Sequence, residues 1–410
     1  MTSLNAVPWS RPMAPRDPAE AHRTSTPLEL LFDLVFVVAI ASAAAELHHG
    51  LSANHLNAVV GFVLVFFAIW WAWMSYTWFA SAYDCDDVVY RVLTFTIMSG
   101  SLLLAAGVPD LFDDGQSGVV VAGYAVMRLG MVALWLRVAA AHPEGRRTAL
   151  TFAVGITAVQ LLWIARLLLH GGEVLLTSFL LLVLAELAVP VVAERVGAPT
   201  PFHPRHVAER YGLLTIIVLG EVILASVQAV QGALAAPAVN ATAAAGDGPP
   251  GASGGISGSL AMLVVGGLLL VFSLWWLYFK REHADLIGQG RRITWVFGYV
   301  HIIVFASVAA VGAALAAAVD VVQHAGNASP RTVALALAVP IALYALTLAG
   351  LHAAADRDRS VLLAAGVMSA GALAVALLGL DMGLTVLLIG LVTAAAVVQH
   401  IVASHRRVRA

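Results

Sequence analysis

Apolar stretches of about twenty residues, each closed by a charged or Pro/Gly-rich break, recur along the whole chain. They fall near 28–49, 56–79, 92–109, 118–137, 148–169, 174–193, 211–235, 259–279, 293–319, 332–353, 361–380 and 382–402. At a helical rise of about 1.5 Å per residue, each reaches across a hydrocarbon core of ~30 Å. The pattern therefore predicts an all-α polytopic membrane protein with twelve transmembrane helices. The last two windows are parted only by Asp381 and its neighbours Gly379 and Gly383.

Composition agrees. With 60% hydrophobic residues, 11% charged residues and a mean hydropathy of +0.89, the chain lies far from the ~25% charged residues of soluble domains. A net charge of −2 and the absence of a basic stripe exclude nucleic acid as a partner. Cys85 is the single cysteine, which excludes a disulfide framework and a thiolate metal cluster. No metal or cofactor site is expected. The prolines and arginines of residues 1–26 carry no apolar run, so this segment is expected to be a disordered cytoplasmic tail rather than a signal peptide.

Basic residues orient the spans. With the N-terminus in the cytoplasm, all but three of the 22 basic residues lie in inner segments, as the positive-inside rule requires. Arg166 and Arg331 fall outside, and Arg128 falls within a span. Both termini are then cytoplasmic. The longest outer loop, 236–258, is Ala/Gly/Pro/Ser-rich and reads as a flexible linker. Two six-helix halves follow, 27–210 and 211–410.

The halves resemble each other. Phe66-Phe67-Ala68-Ile69-Trp70-Trp71-Ala72-Trp73 in the second span resembles Leu270-Val271-Phe272-Ser273-Leu274-Trp275-Trp276-Leu277 in the eighth. Allowing for loop length, Asp33 falls opposite Glu221, and Asp110 opposite Asp320. Six spans preserve orientation, so the expectation is a parallel 6+6 repeat.

Polar residues inside the spans are the candidate chemistry, because charge in a bilayer is costly and marks function by default. Glu29 and Asp33 lie one turn apart on one helical face. Glu29 suits a helix start near the water interface. Asp33 lies about 7 Å deeper than Leu28, where an acid needs a partner, a cation or a proton. Glu221 and Glu186 stand near the midplane, Glu221 beside Gly220, a residue that permits close helix approach. Arg128 is expected to pair with Glu186 or Glu221. One cation cannot neutralise several carboxylates, which points to a proton- or cation-linked site with Asp33, rather than Glu29, as the acid that activity requires. Arg210 and His301 complete the candidate set, His301 as a proton-relay residue. Glu46, His48, His49 and His55 read as a wet loop rather than a metal site. Asp84, Asp86 and Asp87 read as a solvated loop able to pair with Arg91.

Three motifs bring a family resemblance. Glu29-Leu30-Leu31-Phe32-Asp33-Leu34-Val35-Phe36-Val37 resembles the opening signature of the bacterial low-temperature-requirement protein A (LtrA) family. Glu209-Arg210-Tyr211 with Leu219-Gly220-Glu221, and Trp275-Trp276-Leu277-Tyr278-Phe279, are similar to two further motifs of that family. Leu31 and Tyr211 stand where Phe is commoner. The resemblance implies a multi-pass protein of the bacterial plasma membrane, linked to growth in the cold, and implies no defined chemistry. A looser likeness to lysosomal-type potassium channels keeps a permeation reading open, although Phe32-Asp33 lacks the Ser of their Phe-Ser-Asp motif.

The expected function is that of a secondary transporter or ion/solute permeation protein, with the lipid bilayer, a proton or cation and a small solute as partners. No Walker-type phosphate loop is present, which excludes a nucleotide-driven pump. An intramembrane lipid-acting enzyme and a membrane sensor or scaffold are the alternatives.

Overall fold

The computed structural model describes residues 7–20, 23–114, 117–169, 172–243, 257–356 and 359–409. Among these the secondary structure is helical, without strands. Among the described residues eleven helices are long and apolar enough to cross a membrane. The protein is an all-α polytopic membrane protein. The window 361–380 yields an apolar helix as well, Arg359–Leu377; among the described residues its apolar stretch is shorter, Val361–Leu377.

The chain divides into two compact units. The first takes residues up to 42 and 65–213. It contains the first part of α1 (Pro27–Ser52) and the later part of α2 (Asn57–Tyr83), then α3 (Val88–Ala106), α4 (Val108–Asp114), α5 (Gly118–Ala141), α6 (Arg146–Arg166), α7 (Gly172–Val196) and the first turns of α8 (Pro204–Ala243). The second takes 43–64 and 214–410. It holds the remainder of those helices with α9 (Gly258–Phe279), α10 (His283–Ile287), α11 (Arg291–Gln323), α12 (Pro330–Asp356), α13 (Arg359–Leu377) and α14 (Met382–Arg409). This division differs from halves cut at 210, because residues 43–64, the end of α1 and the start of α2, cluster with the second unit. The helix after 211 also continues to Ala243, where a linker from 236 was expected. Alanines favour helix over coil. The rest of that linker, 244–256, lies outside the described residues.

Local chemistry sets the helix starts. Thr26, Pro27 and Glu29 form a capping box: the Glu29 amide donates to Thr26 Oγ1 at 3.2 Å, and the Thr26 amide donates to Glu29 Oε2 at 2.8 Å. Asp87 caps α3 through the Tyr90 amide at 2.6 Å, and Asp381 accepts from the Leu384 amide at the start of α14, 3.2 Å. Along α1 the polar and aromatic side is buried (Glu29, Phe32, Asp33, Phe36), while Leu30, Leu34 and Val38 are exposed as a lipid-facing stripe. Protein inside and lipid outside reverse the soluble pattern.

Glycines set the closest helix crossings. A methyl group built on Gly266 of α9 would stand 2.5 Å from the Val386 carbonyl oxygen of α14, and one on Gly390 would stand 2.5 Å from the Gly266 carbonyl oxygen. Gly100 and Gly123 play the same part between α3 and α5, each 2.7 Å from the other's carbonyl oxygen. Small residues let backbones touch where no water drives association. Gly220, by contrast, has open space around it and meets no other helix closely among the described residues.

Candidate functional site

The first unit builds an ionic cluster from α1, α2 and α8. Arg210 donates to Asp33 through Nε (to Oδ2, 3.0 Å) and Nη2 (to Oδ1, 2.6 Å), a bidentate grip. Trp73 Nε1 donates to Asp33 Oδ1 at 2.7 Å. The third guanidinium nitrogen, Nη1, stands 3.1 Å from Glu29 Oε1. His206 Nε2 lies 3.1 Å from the same oxygen. Glu29, Asp33, His206 and Arg210 are each wholly buried.

Sequence spacing explains the convergence. Glu29 and Asp33 are i,i+4 on α1, and His206 and Arg210 are i,i+4 on α8, so two matched faces meet. Tyr211 locks the register: its hydroxyl accepts from Trp78 Nε1 at 2.9 Å, and Trp73 packs edge-on against its ring, 4.9 Å between centroids. Glu209 accepts from the Ser25 amide at 3.2 Å. The Glu-x-x-x-Asp and Glu-Arg-Tyr motifs thus form one site.

Two expectations are corrected. Glu29 is not near water; it belongs to the same buried cluster as Asp33, because the segment before α1 and the first turns of α8 cover it. Arg210, counted as an inner-loop charge, is fully buried and is the cation that holds both acids. His206 and Trp73 were missed. The His-x-x-x-Arg spacing was the available signal for the first, and nothing in the sequence marked the second.

The described part of the N-terminal segment is also placed, where disorder was expected. The Val88 amide donates to the Pro8 carbonyl at 3.1 Å, and the Arg16 amide to the Ala82 carbonyl at 2.9 Å. Asp87 gathers it further, accepting from the Arg11 amide at 2.7 Å and from Arg137 Nη2 at 2.6 Å. Burial opposes ionisation of Asp87, but the Arg137 and amide hydrogen bonds prevail and hold its carboxyl below the usual range. Met13 and Arg23 are buried, and Arg23 Nη2 donates to the Ala80 carbonyl at 2.7 Å. Asp84 is pushed up to about 6 by burial and then by the charge of Glu29. Arg91 pairs with Asp86 at 2.8 Å.

A second buried cluster joins α2, α5 and α7. Arg128 Nη2 donates to Glu186 Oε2 at 2.9 Å. Trp71 Nε1 donates to the same oxygen at 2.9 Å, and the Tyr124 hydroxyl to Oε1 at 2.8 Å. Arg128 also bonds the Tyr124 hydroxyl and reaches Ser75 Oγ at 3.3 Å. One cation meets one anion here, inside an aromatic shell that includes Trp163.

The remaining candidates stand in the second unit. Glu221 is half-buried on α8, and the geometry brings it to neither cluster. His301 is fully buried; its Nδ1 bonds the Phe297 carbonyl at 2.7 Å, and its Nε2 the Tyr278 hydroxyl at 3.2 Å. The two tryptophan pairs differ: Trp70 and Trp71 are 2% exposed, whereas Trp275 and Trp276 are 44% and 45% exposed. His48 Nε2 and Ser52 Oγ share Asp320 Oδ2 at 2.7 and 2.6 Å. Among the described residues no group of His, Cys, Asp and Glu converges as metal ligands.

Comparison with known proteins places this geometry in a family. The uncharacterized protein RA0937 of Rhizobium meliloti (strain 1021) is 28% identical over 204 residues, 48% of this chain and 49% of that protein. The match therefore spans about half of the relative's length. No solved structure matches. The model of the bacterial low temperature requirement A protein (LtrA) family matches residues 24–402, which include all three motifs. The chain belongs to the LtrA family.

Proposed function

We propose that this LtrA-family protein is a secondary transporter or ion/solute permeation protein of the bacterial plasma membrane, and that the Glu29–Asp33–His206–Arg210 cluster carries a proton or cation as part of the cycle. The observation that carries the reading is a charge count. Two fully buried carboxylates face one guanidinium, so the cluster is one positive charge short unless a proton or a cation supplies it. His206 bridges Glu29 and is the natural carrier of that proton. A buried group that exchanges one charge with water is the elementary part of a coupled carrier.

Neighbour order supports a duplicated architecture behind this cycle. In the first unit α3 packs on α5, α5 on α6 and α6 on α7; in the second α11 packs on α12, α12 on α13 and α13 on α14. The order follows the sequence parallel that sets Asp33 opposite Glu221. A parallel 6+6 repeat with cytoplasmic termini fits the basic inner segments.

Reconstitution tests the reading. Purified protein is placed in liposomes loaded with a pH-sensitive dye, and an inward proton gradient is imposed at a set membrane potential. Faster acidification than in empty liposomes, abolished by Asp33→Asn at equal incorporation, is the expected result. Identical traces for protein-loaded and empty liposomes, with each common monovalent cation tried, would favour a scaffold. The balanced, closed Arg128–Glu186 cluster is what a scaffold would show throughout.

A further inference from the structure

The second unit contains a group of buried histidines that the carrier reading leaves unused. His283 on α10, His301 on α11 and His352 on α12 are each more than nine-tenths buried. The ring of His283 lies 6.0 Å from that of His301 and 5.8 Å from that of His352, nearly parallel to the latter. Tyr278 of α9 packs 4.5 Å from His283. His301 is held at both nitrogens by Phe297 and Tyr278, whereas Nε2 of His283 and Nε2 of His352 have no hydrogen-bond partner among the described residues. Buried polar atoms are seldom left so, because the cost is that of a lost solvation shell.

The surroundings give the sign of the missing partner. Lys280, Arg281 and His400 all lie close enough to act on His352, and the three histidines act on one another. The leading charges acting on His352 are those of His283, Arg281, His400 and Lys280, and on His283 that of His301. Lys280 is held in position by its bond to Ser404 Oγ at 2.7 Å. A metal would need three converging ligands, and none of the described residues provide them.

We propose that His283 and His352 form a binding site for a phosphate-type oxyanion, free or as a phospholipid headgroup, at the end of the second unit that carries Lys280 and Arg281. Each imidazole donates one Nε2–H to the oxyanion, and the two basic side chains supply the field. Burial and then the neighbouring His301 hold the empty His283 down at about 3. A bound anion favours the charged imidazole, so binding takes up a proton and affinity rises as pH falls. The groups that face this titration are Tyr278, Lys280, Arg281, His301, His352 and His400.

The test uses the full chain in nanodiscs and reads its thermal unfolding midpoint. One arm adds inorganic phosphate to phosphatidylcholine discs at constant ionic strength, with chloride as control. The other replaces part of the phosphatidylcholine with phosphatidylglycerol and adds no phosphate. A rise in midpoint in the first arm identifies a free oxyanion, and a rise in the second alone identifies a headgroup; either supports the site. His283→Gln with His352→Gln should weaken apparent affinity at least about tenfold. Lys280→Gln, which removes no buried ring, should weaken it by a smaller factor and flatten its salt dependence. Wild-type affinity should increase between about pH 8 and about pH 6. The proposal is overturned if neither arm moves the wild-type midpoint. It is equally overturned if the variants respond as wild type does, or if zinc ion stabilises the protein and phosphate does not.

Discussion

Neutralising Arg210 should damage the protein more than neutralising Asp33, although the two residues form one ion pair. In Asp33→Asn the guanidinium keeps Glu29, with Nη1 3.1 Å from Oε1, and Trp73 can still donate to the Asn oxygen. The loss sits at the lower end of the range for a broken buried pair, about 3 kcal/mol. In Arg210→Gln both carboxylates stay behind. Two acids bridged by one guanidinium stand roughly 6 Å apart, and at an effective dielectric of 20 their repulsion adds about 3 kcal/mol. Proton uptake by one acid relieves part of it, which leaves an expected loss of ~5 kcal/mol. The double variant keeps only Glu29 with His206, so it should recover about 2 kcal/mol relative to additivity. Unfolding of the detergent-purified protein along an SDS titration measures all four corners of this cycle, with Trp73 as an intrinsic fluorophore at the site. Equal losses for the two single variants, or additivity within about 0.5 kcal/mol, would show that Glu29 does not share the guanidinium.

Arg128→Ala should cost about 3–5 kcal/mol and lower the amount of folded protein in membranes, since Glu186 is left buried without its cation; wild-type abundance by immunoblot would contradict this. Asp84→Asn should raise the melting temperature at neutral pH. Its folded carboxyl binds protons more tightly than in the unfolded chain, so stability falls as pH rises from about 4 through about 6, by roughly 3 kcal/mol for two units. The Asn variant should lose that slope, and parallel melting curves across pH would refute the assignment. Gly266→Val should separate α9 from α14, because a side chain there meets backbone and not a flexible tip. A cost of ~3 kcal/mol is expected, and an unchanged melting temperature would mean the two helices can slide.

The spans were legible in the sequence because twenty-residue apolar runs have no other stable use. The breaks were less so. Alanine-rich residues after 235 read as linker by composition, yet they extend α8 by helix propensity. The site was half legible. Paired i,i+4 spacing marked Glu29 with Asp33, but depth estimated from the helix start placed Glu29 at the interface, since coverage by the first turns of α8 leaves no trace in hydropathy. Arg210 was hidden for a related reason: the positive-inside rule weighs every arginine near a helix end as a topological marker, and cannot tell one facing water from one facing two acids. The Trp73 partner of Asp33 could not be read at all, because Trp70, Trp71 and Trp73 are indistinguishable until the helix rotation is known.

On the proposed reading, the two buried clusters of the first unit divide between assembly and activity. Arg128 and Glu186 match one for one; Trp71 and Tyr124 donate to the Glu186 oxygens and Ser75 accepts from Arg128, while Arg128 Nε is left without a hydrogen bond among the described residues. Such a cluster has no spare charge, and changing its charge breaks it. Glu29, Asp33 and Arg210 do not match, and the remainder is small enough for one proton. His206 Nδ1 and Arg210 Nη1 are buried without a hydrogen bond among the described residues, so the site holds unfilled donor capacity as well as unbalanced charge. The unmatched charge of Glu29 and Asp33 against Arg210 is the physical reason for the proposal to seat the activity there and the weld at Arg128.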